Sequence, residues 1–144
     1  MEQFKQDYPV WMEQQVAWGE MDALNHINNV VYFRYFENIR IHFFRRFEFM
    51  ESLMGQRLAP ILSETQCRYR RPVTFPDQLL LGTRITQLSD DRLSMEYAVY
   101  SQAQQCITTL GSATVVCVDT QTGRPSPLPM PLASALKASP ACRC

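Results

Sequence analysis

Hydrophobic residues recur with different spacings along the chain, and the changes of spacing mark its elements. Residues 8 to 19, YPVWMEQQVAWG, predict a strand carrying Val and Trp, with Gly19 offering an exit. A polar loop, EMDALNHINN, follows. From about Asn29 to Met54 a helical period predicts one long helix, because Phe33, Phe36, Phe43, Phe47, Met50 and Met54 repeat at three- and four-residue steps, interrupted by Arg40. Arg34, Asn38, Arg45 and Ser52 make a polar stripe on another side, broken by Ile41. About 26 residues at 1.5 Å each would form a rod of roughly 39 Å. Its ring of aromatics is wide, as on a helix that a curved sheet wraps or on a helix within a bundle.

After Gly55 the helical period is lost and four strand-like runs appear, at about 59 to 70, 78 to 89, 92 to 104 and 106 to 118. The alternation is clearest from Leu93 to Tyr100: Leu93, Met95, Tyr97 and Val99 share one face, and Ser94, Glu96 and Tyr100 the other. Asp90-Asp91 marks a hairpin turn, Pro72, Pro76 and Asp77 punctuate the preceding connection, and such short links favour pairing of consecutive antiparallel strands. Beyond Asp119 lie Gly123 and five of the nine prolines, so residues 123 to 144 predict an edge segment or tail with at most a short helix near Leu132 to Ala138 and a loose end. Strand, long helix, then four strands is an α+β order. Laying the helix across a curved antiparallel sheet of five to six strands lets each element bury its apolar face on the other.

Composition narrows the picture. With 144 residues, 46% of them hydrophobic, the chain fits one domain, its core within about residues 8 to 120. Zero net charge from 14 basic and 14 acidic groups argues against a strongly basic nucleic-acid binder. Twelve of the 14 basic residues are Arg, the side chain that forks onto phosphate or carboxylate. No uncharged apolar run approaches the ~18–20 residues of a membrane span. Five cysteines without C-x-x-C spacing indicate neither a zinc site nor a disulfide framework. Cys67, Cys106 and Cys117 fall in strand-like runs, whereas Cys142 and Cys144 fall in the expected tail, where two loose thiols suit a reducing cytoplasm.

Titratable and polar groups concentrate in one stretch, Asp22-Ala-Leu-Asn-His26-Ile-Asn-Asn29, which runs into the helix bearing Tyr32, Glu37 and Arg40. The first N–H groups of a helix lack intrahelical acceptors and carry the positive end of its dipole, so they can polarise a carbonyl oxygen. A carboxylate beside them would complete a hydrolytic site that uses no metal. The same residues also suit plainer duties: Asp22 as a loop residue or cap, His26 as a loop histidine bonded to backbone, Asn28 or Asn29 as a helix cap.

The run DALNHINNVVYFRYFENIR from Asp22 to Arg40, with YRRPVTFPD from Tyr69 to Asp77, closely resembles the hotdog-fold acyl-CoA thioesterases of the 4-hydroxybenzoyl-CoA thioesterase type. The resemblance extends over about residues 8 to 120 and departs at Asn25, where the family usually has Gly; both residues tolerate left-handed backbone. It implies a hotdog fold and hydrolysis of a thioester to free acid and coenzyme A without a cofactor. Asp22 matches the family's carboxylate, which attacks the thioester or activates a water. The Asn29 N–H would polarise the carbonyl, His26 would orient loop or substrate, and Tyr32 would lie beside the acyl group. Glu37 and Arg40, three apart on the helix, equally suit a purely structural ion pair.

Coenzyme A carries several phosphates and needs a cationic mouth. Arg68, Arg70 and Arg71 cluster at one predicted strand end, with Arg84 and Arg92 as further candidates, although a solvated strand end would look the same. The family pairs protomers into dimers, often further assembled to tetramers, with the site at the interface, so the expected partners are acyl-CoA and further copies of this chain. Two other readings remain open on the same fold. One is a non-catalytic acyl or CoA-binding scaffold, which would have no need of Asp22. The other is a hydratase, disfavoured because those proteins typically carry D-x-N-P-x-H and no Pro stands between Asp22 and His26.

Overall fold

A computed structural model describes residues 1–144. The elements are α1 (Glu2–Asp7), β1 (Val10–Gln15), a 3-10 turn (Trp18–Glu20), α2 (Val31–Arg46), α3 (Phe49–Met54), β2 (Leu58–Tyr69), β3 (Gln78–Leu88), β4 (Arg92–Ser101), β5 (Cys106–Asp119) and α4 (Met130–Ala138). All five strands form one antiparallel sheet in the order β1-β3-β4-β5-β2. Register shifts at Leu62/Glu64, Ile85/Gln87 and Val99/Tyr100 bend it, as bulges do. Leu93, Met95, Tyr97 and Val99 are buried as their alternation predicted, and they join Leu79, Leu81, Ala113 and Val115 in a core against Tyr35, Phe36, Ile39 and Phe43 of α2. This curved sheet around a central helix is the hotdog arrangement that the sequence led us to expect.

The helix itself is shorter than expected. Glu48 adopts a left-handed backbone, φ 49°, which ends α2 at Arg46 and starts α3 in a new direction. The 16 residues of α2 span ~24 Å rather than 39 Å. Phe49 then stacks on Phe44 with centroids 4.3 Å apart, and Leu53 is also buried, so the break returns two large side chains to the core. The buried stripe, Tyr32, Tyr35, Phe36, Ile39 and Phe43, is also rotated from the one predicted: Phe33 is 38% and Met54 65% exposed.

Consecutive pairing holds for β3, β4 and β5 but not for β2, which borders β5 and forms the sheet edge opposite β1. Pro72 and Pro76, which have no N–H for a ladder, lie in the connection that carries the chain from β2 to β3. Helix α1, unanticipated in a short polar stretch, sets Phe4 and the following Tyr8 on Leu80 and Ala98, on the sheet face away from α2. No helix is long and apolar enough to cross a membrane.

The segment after β5 is more firmly held than its composition implied. Leu128, Leu132 and Leu136 are buried. Cys142 forms a parallel bridge to Ile85, flanked by hydrogen bonds from Ile85 N to Ala141 O (2.8 Å) and from Arg143 N to Ile85 O (2.8 Å). The expected loose end is therefore fastened to the sheet.

At Gly111 the approach of α2 to the sheet leaves no room for a side chain, since a Cβ there would lie 2.3 Å from the Phe36 ring. Gly111→Ala should destabilise the protein by about 1–3 kcal/mol, the usual cost of overpacking. Urea unfolding would show this as a lower midpoint at unchanged slope.

Candidate active site

The loop between β1 and α2 is shaped by its own polar side chains. One oxygen of Asp22, Oδ1, accepts hydrogen bonds from the backbone N–H of Leu24 (2.9 Å) and of His26 (3.1 Å). The Asp22 N–H donates to His26 O (2.7 Å), and Asn25 takes a left-handed φ of 60°, which lets the chain reverse within this span. The departure from Gly at position 25 thus preserves the turn. The second oxygen, Oδ2, has no partner in the chain. His26 holds Asp22 through its backbone, and its imidazole makes no hydrogen bond within the chain.

Two further contacts fix the loop to the body. Ile27 N donates to Val73 O (2.8 Å) and Asn28 N to Glu20 O (2.9 Å). The Glu20 carboxylate in turn accepts from Tyr35 Oη (2.6 Å) and Ala17 N (2.8 Å), tying the loop's start to the buried face of α2.

Asn28, and not Asn29, shapes the turn that leads into α2, whose N-cap position is Val30 without a side-chain cap. Asn28 Oδ1 accepts from Val30 N (3.1 Å) and its carbonyl from Val31 N (2.9 Å). The neighbouring Asn29 N–H has no acceptor in the chain, whereas the Asn29 carbonyl accepts from Tyr69 Oη (3.0 Å). The Tyr69 ring meets Tyr32 edge to face at 5.4 Å. Tyr69 stands in the strand-end motif, and the sequence alone assigns it no role. Its signal was its position at the end of β2, where a side chain on the α2 side of the sheet meets the helix start.

Asp22, His26, Asn29 and Tyr32 line one cavity of about 380 Å³ with Tyr69, Arg70, Arg71 and Pro72. Six of the seven predicted site residues therefore converge. Arg68 does not. It lines a separate groove of about 440 Å³ with Arg84 and Glu96, because alternation in β2 directs it to the sheet face opposite Tyr69. Arg84 is occupied there, its Nη2 2.8 Å from the Glu96 carboxylate, and Arg92 pairs with Asp91 at the β3–β4 hairpin. Neither contributes to an arginine cluster at the cavity. Glu37 and Arg40 do not pair either: Glu37 sits 4.0 Å from Arg34, and Arg40 donates to Tyr97 Oη (3.1 Å). By contrast, no ion pair engages Arg70 or Arg71.

A family model described as the thioesterase-like superfamily matches residues 16–136. The Bacillus subtilis protein YsmA is 24% identical over 124 residues, which cover 85% of this chain and 82% of its own. A Pseudomonas aeruginosa protein of known crystal structure has a TM-score of 0.81 at 24% identity, covering 93% of each chain. A Thermus thermophilus thioesterase, crystallised with coenzyme A and Zn, has a TM-score of 0.77 at 27% identity, over 92% of this chain and 95% of its own.

Tyrosines surround this region, and the protein holds their protons tightly. Burial pushes Tyr32, Tyr35 and Tyr97 above the usual phenol range, reinforced at Tyr35 by the Glu20 carboxylate and opposed at Tyr97 by Arg40. Burial, with the neighbouring Cys67, pushes Tyr69 up to about 12. Each phenol keeps its proton in the folded state where the unfolded chain has released it. Their stabilisation is therefore intact below about pH 10, the value for an unperturbed tyrosine, and lost as pH rises through the folded values. Denaturant midpoints measured upward from about pH 8 should begin to fall near pH 10.

Proposed function

From a chain that belongs to the thioesterase-like superfamily, we propose an acyl-CoA thioesterase whose reacting groups are Asp22 and the backbone N–H of Asn29. One observation carries this reading: a carboxylate with one oxygen restrained by two N–H donors shares a cavity with a helix-start residue whose amide has no acceptor. In the proposed reaction the thioester oxygen accepts from Asn29 N–H, where the helix dipole favours the charge that develops on it. Asp22 Oδ2 either attacks the carbonyl carbon and breaks its C–S bond, giving a mixed anhydride that water opens, or accepts the proton of an attacking water whose addition breaks the same bond. The expelled coenzyme A thiolate takes up a proton in either route. Both routes end with free acid and the thiol of coenzyme A.

The remaining groups act as positioners in this scheme. Tyr69 orients the Asn29 peptide through its carbonyl, His26 frames the loop, and Tyr32 borders the acyl group. Arg70 and Arg71 grip the phosphates of coenzyme A, a role supported by their lack of ion-pair partners and by the ligand of the Thermus relative. Edge strand β2 supports a homodimer, further assembled or not to a tetramer, because its unpaired backbone and the exposed Ile61 and Leu62 suit a second copy. The partner would cover a cavity that one protomer leaves open.

A panel of short, medium, long-chain and aromatic acyl-CoAs should yield free thiol with at least one member. Normal CoA binding with no thiol released from any of them would favour the scaffold, and water addition to an enoyl-CoA the hydratase. Asp22→Asn should lower kcat by about 10²- to 10⁴-fold while the fold, read by circular dichroism, is unchanged. Retention of full activity would remove Asp22 from the mechanism.

Charge reversal at Arg70 or Arg71 should raise KM more than it lowers kcat. Losing a hydrogen bond to a charged group, ~1.5–3 kcal/mol, corresponds to about 10-fold or more in KM. Arg68→Glu, on the other face, should leave KM unchanged.

A further inference from the structure

Outside the cavity, one pair of nucleophilic side chains lies close together and has no part in the proposed reaction. Cys142 Sγ and Cys144 Sγ are 2.7 Å apart, the first half-buried and the second exposed. They sit on restrained backbone. The bridge to Ile85 holds Cys142, the Cys142 N–H donates to Ser139 O (3.0 Å), and the preceding Ala141 is buried. Between the two thiols, Arg143 donates from Nη2 to Gln6 O (2.6 Å) and from Nε to Pro140 O (2.9 Å). Arg84 Nη1 donates to the next carbonyl, Asp7 O (3.1 Å), so two guanidinium groups hold the last carbonyls of α1. The residue that fastens α1 to the end of the chain is the one flanked by both thiols.

We propose that Cys142 and Cys144 form a redox dithiol that exchanges with low-molecular-weight disulfides, and that its oxidation loosens the attachment of α1. The chemistry balances without a metal. Burial and the neighbouring Cys142 push the Cys144 thiol up to about 11, so it first gives its proton to solvent base. The thiolate then attacks one sulfur of an external disulfide such as oxidised glutathione, forming a mixed disulfide and expelling one thiolate. Cys142, already adjacent, loses its proton and attacks the Cys144 sulfur, forming the internal bond and expelling the second thiolate. Two protein thiols give up two electrons and two protons, and one external disulfide becomes two thiols. The bond closes a small ring through Arg143, whose backbone must then adapt to the ring as well as to Ile85. The contact from Arg143 to Gln6 depends on the present backbone direction and is the one lost; Arg84 on Asp7 O and the seat of Phe4 and Tyr8 on Leu80 and Ala98 remain, so α1 is loosened and not freed.

The test uses the full chain equilibrated in buffers of increasing oxidised-to-reduced glutathione ratio, followed by acid quenching, alkylation and peptide mass mapping. The expected product is a Cys142–Cys144 linkage, about 2 Da lighter than the dithiol, with Cys67, Cys106 and Cys117 still alkylated. Cys142→Ser should instead accumulate a glutathione adduct at Cys144, since the resolving thiol is gone. Wild-type protein that accumulates the same adduct, or that keeps both thiols alkylatable at every ratio, would overturn the proposal. Hydrogen exchange across Glu2–Asp7 should be several-fold faster in the oxidised form, and unchanged exchange would overturn its link to α1. Thioester hydrolysis does not enter any of these readouts.

Discussion

Phe36 lies on the ring of Tyr97, nearly parallel at 5.0 Å, and directly over the backbone of Gly111. This contact sets the height of α2 above the sheet. One turn toward the start of the helix, that height brings Tyr32 to Tyr69 and the Asn29 carbonyl within reach of the Tyr69 hydroxyl. A larger residue at 111 would lift the helix, and the amide at its start would move with it. Core packing and site geometry are thus one constraint, imposed by a position that no reacting group touches.

The loop ahead of α2 depends on carboxylates used as acceptors. Asp22, which lines the cavity, engages one oxygen in the turn and leaves the other without a partner in the chain, while Glu20 joins the loop to Tyr35 on the buried face of the helix. Asn28 accepts from the Val30 and Val31 amides, and the Asn29 amide just before them is left without an acceptor in the chain.

Much of this was readable from residues alone. The alternation in β4, the period of α2 and the Asp22 to Asn29 stretch led to the right layers and to six convergent side chains. What escaped was decided by contacts distant in sequence. Nothing local marks Glu48 as left-handed; the break pays when Phe49 reaches Phe44. The loose-looking tail is fixed by hydrogen bonds to Ile85, more than fifty residues away. Arg68 is different, because strand alternation alone separates it from Tyr69. Its grouping with Arg70 and Arg71 treated three arginines as neighbours on one strand end, whereas β2 stops at Tyr69 and the other two belong to the turn beyond it.

The strand order carries a kinetic consequence. The strands on either side of α2 in sequence, β1 and β2, occupy opposite edges of the sheet, with β3, β4 and β5 between them. Asp22 thus reaches the cavity from the β1 side and Tyr69 from the β2 side, and β2 takes its place only by pairing with β5, as in Tyr69 with Thr109. Such long-range closure is slow to form. During synthesis the reacting loop and α2 emerge well before β5, the strand that gives Tyr69 its position, so the cavity is incomplete until Thr109 and its neighbours are available to pair.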